Sequence, residues 1–335
     1  MTAALREVEA LADVGAELRT CLRDAHQPLV FRGLVKHWPL VQAAEASAAQ
    51  VDAYLRRFYR GEPVTVYQLP SEAEGRIFYN DRFDGFNFQT ISARLEQLLD
   101  RLLHYQDDPQ APTLYLGSTL IDRWLPGLRA DNDIGVPAEN PLASIWIGNR
   151  SRVAAHFDFP DNLALCCAGR RRFTLFPPEQ VENLYVGPLD LTPSGQPVSL
   201  VDMRYPDYQR FPKFREAARA ALTVELAPGD ALFIPSLWWH QVESLDSYNI
   251  LINYWWRSTP GYTGTPMNAL EHALLSIRAL PRAQRRAWRA LFDHYVFGDE
   301  DPAEHIPEEA RGILGALDET TARRLRAGLL NKLNR

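Results

Sequence analysis

Between residues 112 and 257 the chain breaks into eight short runs, PTLYLGS, ASIWIG, RVAAHFDF, LALCCAG, RRFTLFP, LTVELAP, ALFIPS and YNILINYWW. Each is too short for a stable helix and rich in β-branched or aromatic residues, so each reads as a strand. Glycine, proline, asparagine and aspartate punctuate them at the spacing of a barrel or sandwich. One insertion, 177–222, rich in proline and aspartate, ends in a helical stretch. Ahead of the β region, apolar spacing predicts a helix over 2–25 (Leu5, Val8, Leu11, Leu18, Leu22), a strand and Gly33 turn within 28–41, and a helix over 47–60. A strand at 62–69, an aromatic turn-rich stretch at 77–89 and an amphipathic helix at 91–105 follow. After Pro260 the pattern is helical to the end. The expected architecture is mainly β: N-terminal α/β elements (1–111), a barrel (112–260) and a C-terminal helical region (261–335).

Composition narrows the function classes. With 46% hydrophobic residues and eight tryptophans the chain can bury a sizeable core. A net charge of −6 offers no basic field for DNA or RNA. Three cysteines without a CxxC spacing make neither a disulfide framework nor a zinc ribbon, so a reducing, cytoplasmic setting is expected. No apolar stretch approaches the roughly 18–20 residues of a membrane span, and the N-terminus lacks a signal-peptide core.

The stretch HFDFPDN (156–162) places a histidine and a carboxylate two residues apart. On a strand, residues i and i+2 share a face, so His156 and Asp158 aim together and Phe157 turns away. Two histidines and one carboxylate leave open positions on a metal, the ligand pattern of non-haem Fe(II) oxygenases. A third ligand must come from elsewhere. His104 lies at the edge of the β region; His240, in PGDALFIPSLWWHQV (228–242), follows a tight turn and a buried strand that Pro235 ends. Each element has a plainer reading: a surface pair for HxD, a hydrogen-bonded core residue for His240.

The segment Tyr115 to Trp256 resembles the JmjC-type cupins, in the cupin-like group that includes a protein asparaginyl hydroxylase. The match is carried by His156-Phe157-Asp158, Asn162, GRRRFTLFPPEQVENLY (169–185), PDYQRFPKF (206–214), PGDALFIPSLWWHQVES (228–244) and NYWW (253–256). The resemblance implies a double-stranded β-helix of jelly-roll form that binds Fe(II) through His156, Asp158 and His240, with 2-oxoglutarate and O₂ as co-substrates. It implies that Arg171, Tyr115, Asn162 and Asn253 hold the keto diacid, with Trp255 as a possible wall. Period two agrees for Arg171, which shares an otherwise apolar face with Phe173 and Leu175, whereas Arg170 and Arg172 read as solvated charge.

Two positions depart from the close relative: Arg171 replaces a lysine, and Val153 replaces a threonine hydroxyl, with Ser151 on the same face as Val153. The resemblance further implies hydroxylation of a protein or peptide side chain, with Tyr208 and Arg210 beside the substrate, and a homodimer through the C-terminal helices. A small-molecule substrate, a tRNA-modifying role, a zinc hydrolase and a non-catalytic binding module are the competing readings.

Overall fold

The computed structural model describes residues 3–4, 7–8, 14–136, 138 and 140–334, and divides into two units, Met1–Ser258 and Thr259–Arg335. Eight strands form the centre of the first: β1 (Leu142–Gly148), β2 (Ser151–His156), β3 (Asp161–Ala168), β4 (Arg171–Phe176), β5 (Leu222–Leu226), β6 (Ala231–Ile234), β7 (Trp239–Ser244) and β8 (Asn249–Trp256). They pair antiparallel in two sheets, in the orders β1-β8-β3-β6 and β2-β7-β4-β5. That alternation between facing sheets is the double-stranded β-helix of a cupin. Earlier segments extend both sheets. Thr113–Leu120, Val64–Leu69 and Gln89–Ala93 continue outward from β1, and Leu29–Phe31 pairs with β6.

The strands read as almost unbroken apolar runs because the first sheet is buried on both faces. Ile145, Ile147, Leu163, Leu165, Ile250 and Ile252 face the helices Pro39–Ala46, Ala48–Arg56 and Leu95–His104, with their buried Leu40, Val41, Leu55, Leu98, Leu99 and Leu102. The alternate residues Ala164, Cys166 and Leu251 turn into the barrel, beside Tyr115, Val153, Phe173, Leu175 and Val242. The adjacent cysteines therefore serve two different cores, Cys167 on the helix side and Cys166 inside. The insertion packs Leu184, Val201, Phe211, Phe214 and Ala217 against Ala155, Phe176 and Trp239 on the outside of the second sheet.

Four local expectations are corrected. Ala3–Ala4 and Glu7–Val8 are strand residues, paired parallel to β5 and to Leu29–Phe31; the helix is confined to Val14–Asp24, and Leu5 and Leu11 lie outside the described residues. Sheet pairing prevails there over helical spacing. The helix expected over 91–105 begins at Leu95, because Gln89–Ala93 is taken by an edge strand. The strand carrying His156 stops at His156, so Asp158 stands two residues beyond it. In the C-terminal unit, helices occupy Pro266–Ser276, Arg282–Phe292 and Glu319–Leu333, but PEEARGILGAL forms only two 3₁₀ turns. Among the described residues no helix is long and apolar enough to cross a membrane.

The β3–β4 turn sets the start of the strand that bears Arg171. Gly169 has φ +64°, and a Cβ there would fall 2.4 Å from Asn249 Oδ1 and 2.5 Å from the Tyr248 carbonyl oxygen. Gly195 has a comparable φ of +86° with open space around it. Gly195→Ala should therefore cost only the left-handed backbone strain of about 1–2 kcal/mol. Gly169→Ala should cost clearly more, read as a lower urea midpoint; equal midpoints for the two variants would contradict this account.

Candidate metal centre

The register of the β2–β7 ladder sets His156 directly opposite His240. Their rings lie 4.4 Å apart between centroids, and Asp158 Oδ2 is 3.6 Å from His240 Nε2. One ligand atom from each of the three residues falls within 4.8 Å of the other two. His104, the other histidine considered at sequence level, ends the helix Leu95–His104 and is not in this cluster.

Each imidazole is held in the form a metal needs. His156 Nδ1 lies 2.9 Å from the Ala154 carbonyl oxygen, and His240 Nδ1 lies 3.0 Å from that of Trp238. A carbonyl only accepts, so Nδ1 carries the proton and the Nε2 lone pair is free to coordinate. Burial, reinforced by His156, pulls His240 down to about 4 against the attraction of Asp158, which keeps the ring neutral at ordinary pH. Phe157 and Trp239, next to the two histidines in sequence, point the opposite way and meet at 4.9 Å over the insertion core.

Asp158 lies off the strand, yet it is anchored from several sides. The Leu237 N–H donates to its carbonyl at 2.9 Å. Ser236 donates through Oγ to the Phe159 carbonyl and through N–H to Asp161 Oδ1 at 2.9 Å. Phe159 and Pro160 therefore form a bend that, with Asp161 at the start of β3, is latched to the loop before β7. Leu237 itself takes a left-handed φ of 65°, a strain of roughly 1–2 kcal/mol that these contacts hold in place. The carboxylate is oriented by Trp255 Nε1 and Asn162 Nδ2, each donating to Oδ2 at 3.1 Å. Asn253 Nδ2 donates in turn to Asn162 Oδ1 at 2.6 Å. Asn162, Asn253 and Trp255 thus make a single network behind Asp158.

Further along the same barrel lies Arg171, only 3% exposed. The ladder pairs Leu175 with His240 and Arg171 with Ser244, four residues apart, or about 13 Å along the strand. Among the described residues no carboxylate pairs with Arg171, and its Nε has no hydrogen-bond partner. Burial lowers its pKa, opposed by Cys166, Tyr115 and Cys167. Its neighbours differ: Arg170 is paired with Asp246, and Arg172 with Glu225 and Glu243. Tyr115 lies within the field of both ends, its phenol raised by burial, lowered by Arg171 and raised again by Tyr67 and Asp158. Ser151 spends its hydroxyl on Ser244 Oγ at 3.1 Å, and Val153 stays in the apolar wall.

Tyr208 and Arg210 are not brought together. Tyr208 is half-buried beside Phe214, with the Arg215 guanidinium 4.2 Å over its ring. Arg210 is exposed and borders a cleft of about 700 Å³ with Arg76, Arg152, Asp202 and Tyr205. Trp146 was not singled out at sequence level. It lies between Tyr115 and Trp255, at ring distances of 5.9 and 5.8 Å, and its buried Nε1 has no partner. Alternation in ASIWIG separates Trp146 from Ile145 and Ile147 but does not say which face is the barrel.

This fold and site define a class, the cupin-like proteins of JmjC type. Residues 16–262 match the family described as cupin-like domain, and the chain belongs to that family, whose members are generally Fe(II)- and 2-oxoglutarate-dependent oxygenases. HSPB1-associated protein 1 of Homo sapiens is 40% identical over 127 residues, 37% of this chain and 25% of that protein. Lysine-specific demethylase 8 of Xenopus tropicalis is 26% identical over 238 residues, 69% of this chain and 48% of that protein. The tRNA wybutosine-synthesizing protein 5 of Gallus gallus is 33% identical over 105 residues, 31% of this chain and 30% of that protein. The chain thus spans between a quarter and a half of the length of these relatives.

Groups that orient a metal's ligands commonly contribute 10- to 100-fold in affinity. Trp255→Phe removes one of the two donors to Asp158 while keeping an aromatic ring. It should weaken Co(II) binding, measured by the visible absorbance of the complex, by about an order of magnitude within that range. Unchanged Co(II) affinity would show that the Trp255 bond does not orient a ligand.

Proposed function

We propose that this protein is an Fe(II)- and 2-oxoglutarate-dependent hydroxylase acting on a protein or peptide side chain. The observation that carries the reading is one barrel holding both an open His156/Asp158/His240 corner and the buried, unpaired cation Arg171. A buried charge without a partner is costly and is ordinarily met by an anion. A keto diacid offers two anionic ends for these two features.

The donor set fits Fe(II): two neutral imidazole nitrogens and one carboxylate on one side leave coordination positions open on the other. When bound, the iron would couple decarboxylation of 2-oxoglutarate by O₂ to hydroxylation of a C–H bond, with succinate and CO₂ as co-products. The chain's own part is positional. Backbone carbonyls of Ala154 and Trp238 keep both imidazoles in the ligating tautomer. Trp255 and the Asn253–Asn162 relay keep Asp158 aimed. Arg171, with Tyr115 beside it, would take the far carboxylate, and Phe173, Leu175, Val153 and Val242 exclude water around it.

A protein substrate is supported by the name of one relative, a lysine-specific demethylase, and by the net charge of −6, which disfavours a nucleic acid such as the tRNA named for another. Arg210, on its exposed cleft, is the better placed of the two substrate candidates. Three free cysteines suit a reducing, cytoplasmic setting.

Anaerobic titration with Fe(II) and 2-oxoglutarate should produce a visible metal-to-ligand charge-transfer band, and admitting O₂ should release succinate. His156→Ala should abolish both. Arg171→Leu should keep metal affinity and raise the 2-oxoglutarate requirement on the order of 10- to 100-fold, the worth of a charge-assisted hydrogen bond. Folded wild-type protein that gives neither band nor succinate would overturn the reading.

The same proposal extends to assembly. In the C-terminal unit Trp288, Leu291, Tyr295, Val296 and Phe297 are 44–71% exposed, a surface suited to a second copy. Sedimentation of the full chain should give a dimer, and Leu291→Arg with Val296→Arg a monomer. A wild-type monomer would overturn this part.

A further inference from the structure

Beyond the arginine, polar atoms that are buried and unpartnered among the described residues include Trp146 Nε1 and Asn253 Oδ1 on the barrel side of the first sheet. Asn253 is tied into the network behind Asp158, which accounts for its other end. Trp146 has no such tie. An indole N–H can only donate, so a buried and unmet one must either carry its desolvation cost or find an acceptor in a bound molecule.

Its placement indicates which acceptor. Trp146 projects from β1 toward the same side as Leu251 and Asn253 of β8, opposite the helix-facing Ile145 and Ile147. Gly117 seats the benzo edge of the indole; a Cβ there would lie 3.5 Å from Cζ3 and 3.6 Å from Tyr115 Cε1. The N–H lies on the opposite edge of the ring. The indole meets Trp255, which holds Asp158, on one side and Tyr115, which feels Arg171, on the other. The indole thus lies along the interval between the metal corner and the buried cation. A carboxylate accepts about four hydrogen bonds, and a bidentate guanidinium fills two of them. Val153, across the barrel, contributes only methyl groups.

We propose that Trp146 is a positioning residue for the co-substrate: its indole N–H donates to the carboxylate of the dicarboxylic keto acid that Arg171 neutralises. The inference rests on the oxygenase reading and deepens it. Trp146 makes the donor that the apolar wall at Val153 does not. It should therefore contribute to selecting a diacid over a monoacid keto compound and leave the metal ligands untouched.

The test uses the full chain loaded with Mn(II) under argon, with 2-oxoglutarate and 2-oxovalerate titrated by calorimetry. The second compound keeps the keto-acid end and lacks the far carboxylate. Trp146→Phe, which retains a ring but no donor, should raise the Kd for 2-oxoglutarate about tenfold, the worth of one hydrogen bond to a charged acceptor. The Kd for 2-oxovalerate and the Mn(II) affinity should stay as in the wild type. Trp146→Leu is a second donor-free variant, and either one that keeps wild-type Mn(II) affinity suffices. Equal losses for both keto acids, or no loss for 2-oxoglutarate, would overturn the role of the indole while leaving the oxygenase reading intact. A wild-type protein that binds Mn(II) but neither keto acid would overturn both.

Discussion

The pairing of β2 with β7 is the interaction on which the site depends. It sets His156 opposite His240, and an irregularity in that ladder makes the arrangement possible. Val153 and His156 are three positions apart on β2, whereas Val242 and His240 are two apart on β7. Strict alternation would put Val153 and His156 on opposite faces. The extra residue on β2 lets both look into the barrel, Val153 as wall and His156 as part of the candidate metal cluster. Shifting the register by one residue would turn an imidazole outward and dismantle the cluster.

The rest of the molecule supports that ladder from behind. Ala155, Phe157 and Trp239 alternate with the histidines and pack into the insertion, so the same residues that leave the metal corner open on one side are held on the other. The insertion is moored by Arg152 to Asp202, a pair largely out of bulk water, and by the exposed Arg204 to the buried Glu243. Asp230, in the PGD turn, accepts from Arg32 and the Gly33 and Ala227 amides, which ties the end of the strand Leu29–Phe31 to the turn ahead of β6. A turn that begins as a sequence punctuation mark thus joins two segments distant in the chain.

Electrostatics divide the barrel into two ends. At one, burial keeps His240 neutral and two donors hold the Asp158 carboxylate aimed. At the other, Arg171 is buried with no carboxylate partner among the described residues, while its neighbours in the triplet spend their charge on ion pairs. The contrast among three consecutive arginines follows from strand alternation: one side chain enters the barrel, two remain in water. A folded protein pays for an unpaired interior cation only if something other than stability depends on it.

Much of this was legible in the residues. Strand lengths and turn formers carried the mainly β architecture, HxD with a distant WWH pointed to the three residues that cluster in the fold, and period two singled out Arg171, because each is a local consequence of chain geometry. What tertiary structure decided lies where contacts between distant segments outweigh local preference. Ala3–Ala4 and Glu7–Val8 pair as strands despite helical spacing, since a sheet edge supplied partners that an isolated segment lacks. Asp158 reaches the histidines from beyond the strand end because the 236–237 loop grips its backbone. Asn162 and Trp255 share Asp158, and Trp146 faces the interior, only because β1, β3 and β8 are neighbours in one sheet. The sequence alone determined which chemistry the chain can hold; side-chain direction at each position depended on which strands became neighbours, a property of the whole fold and not of any one segment.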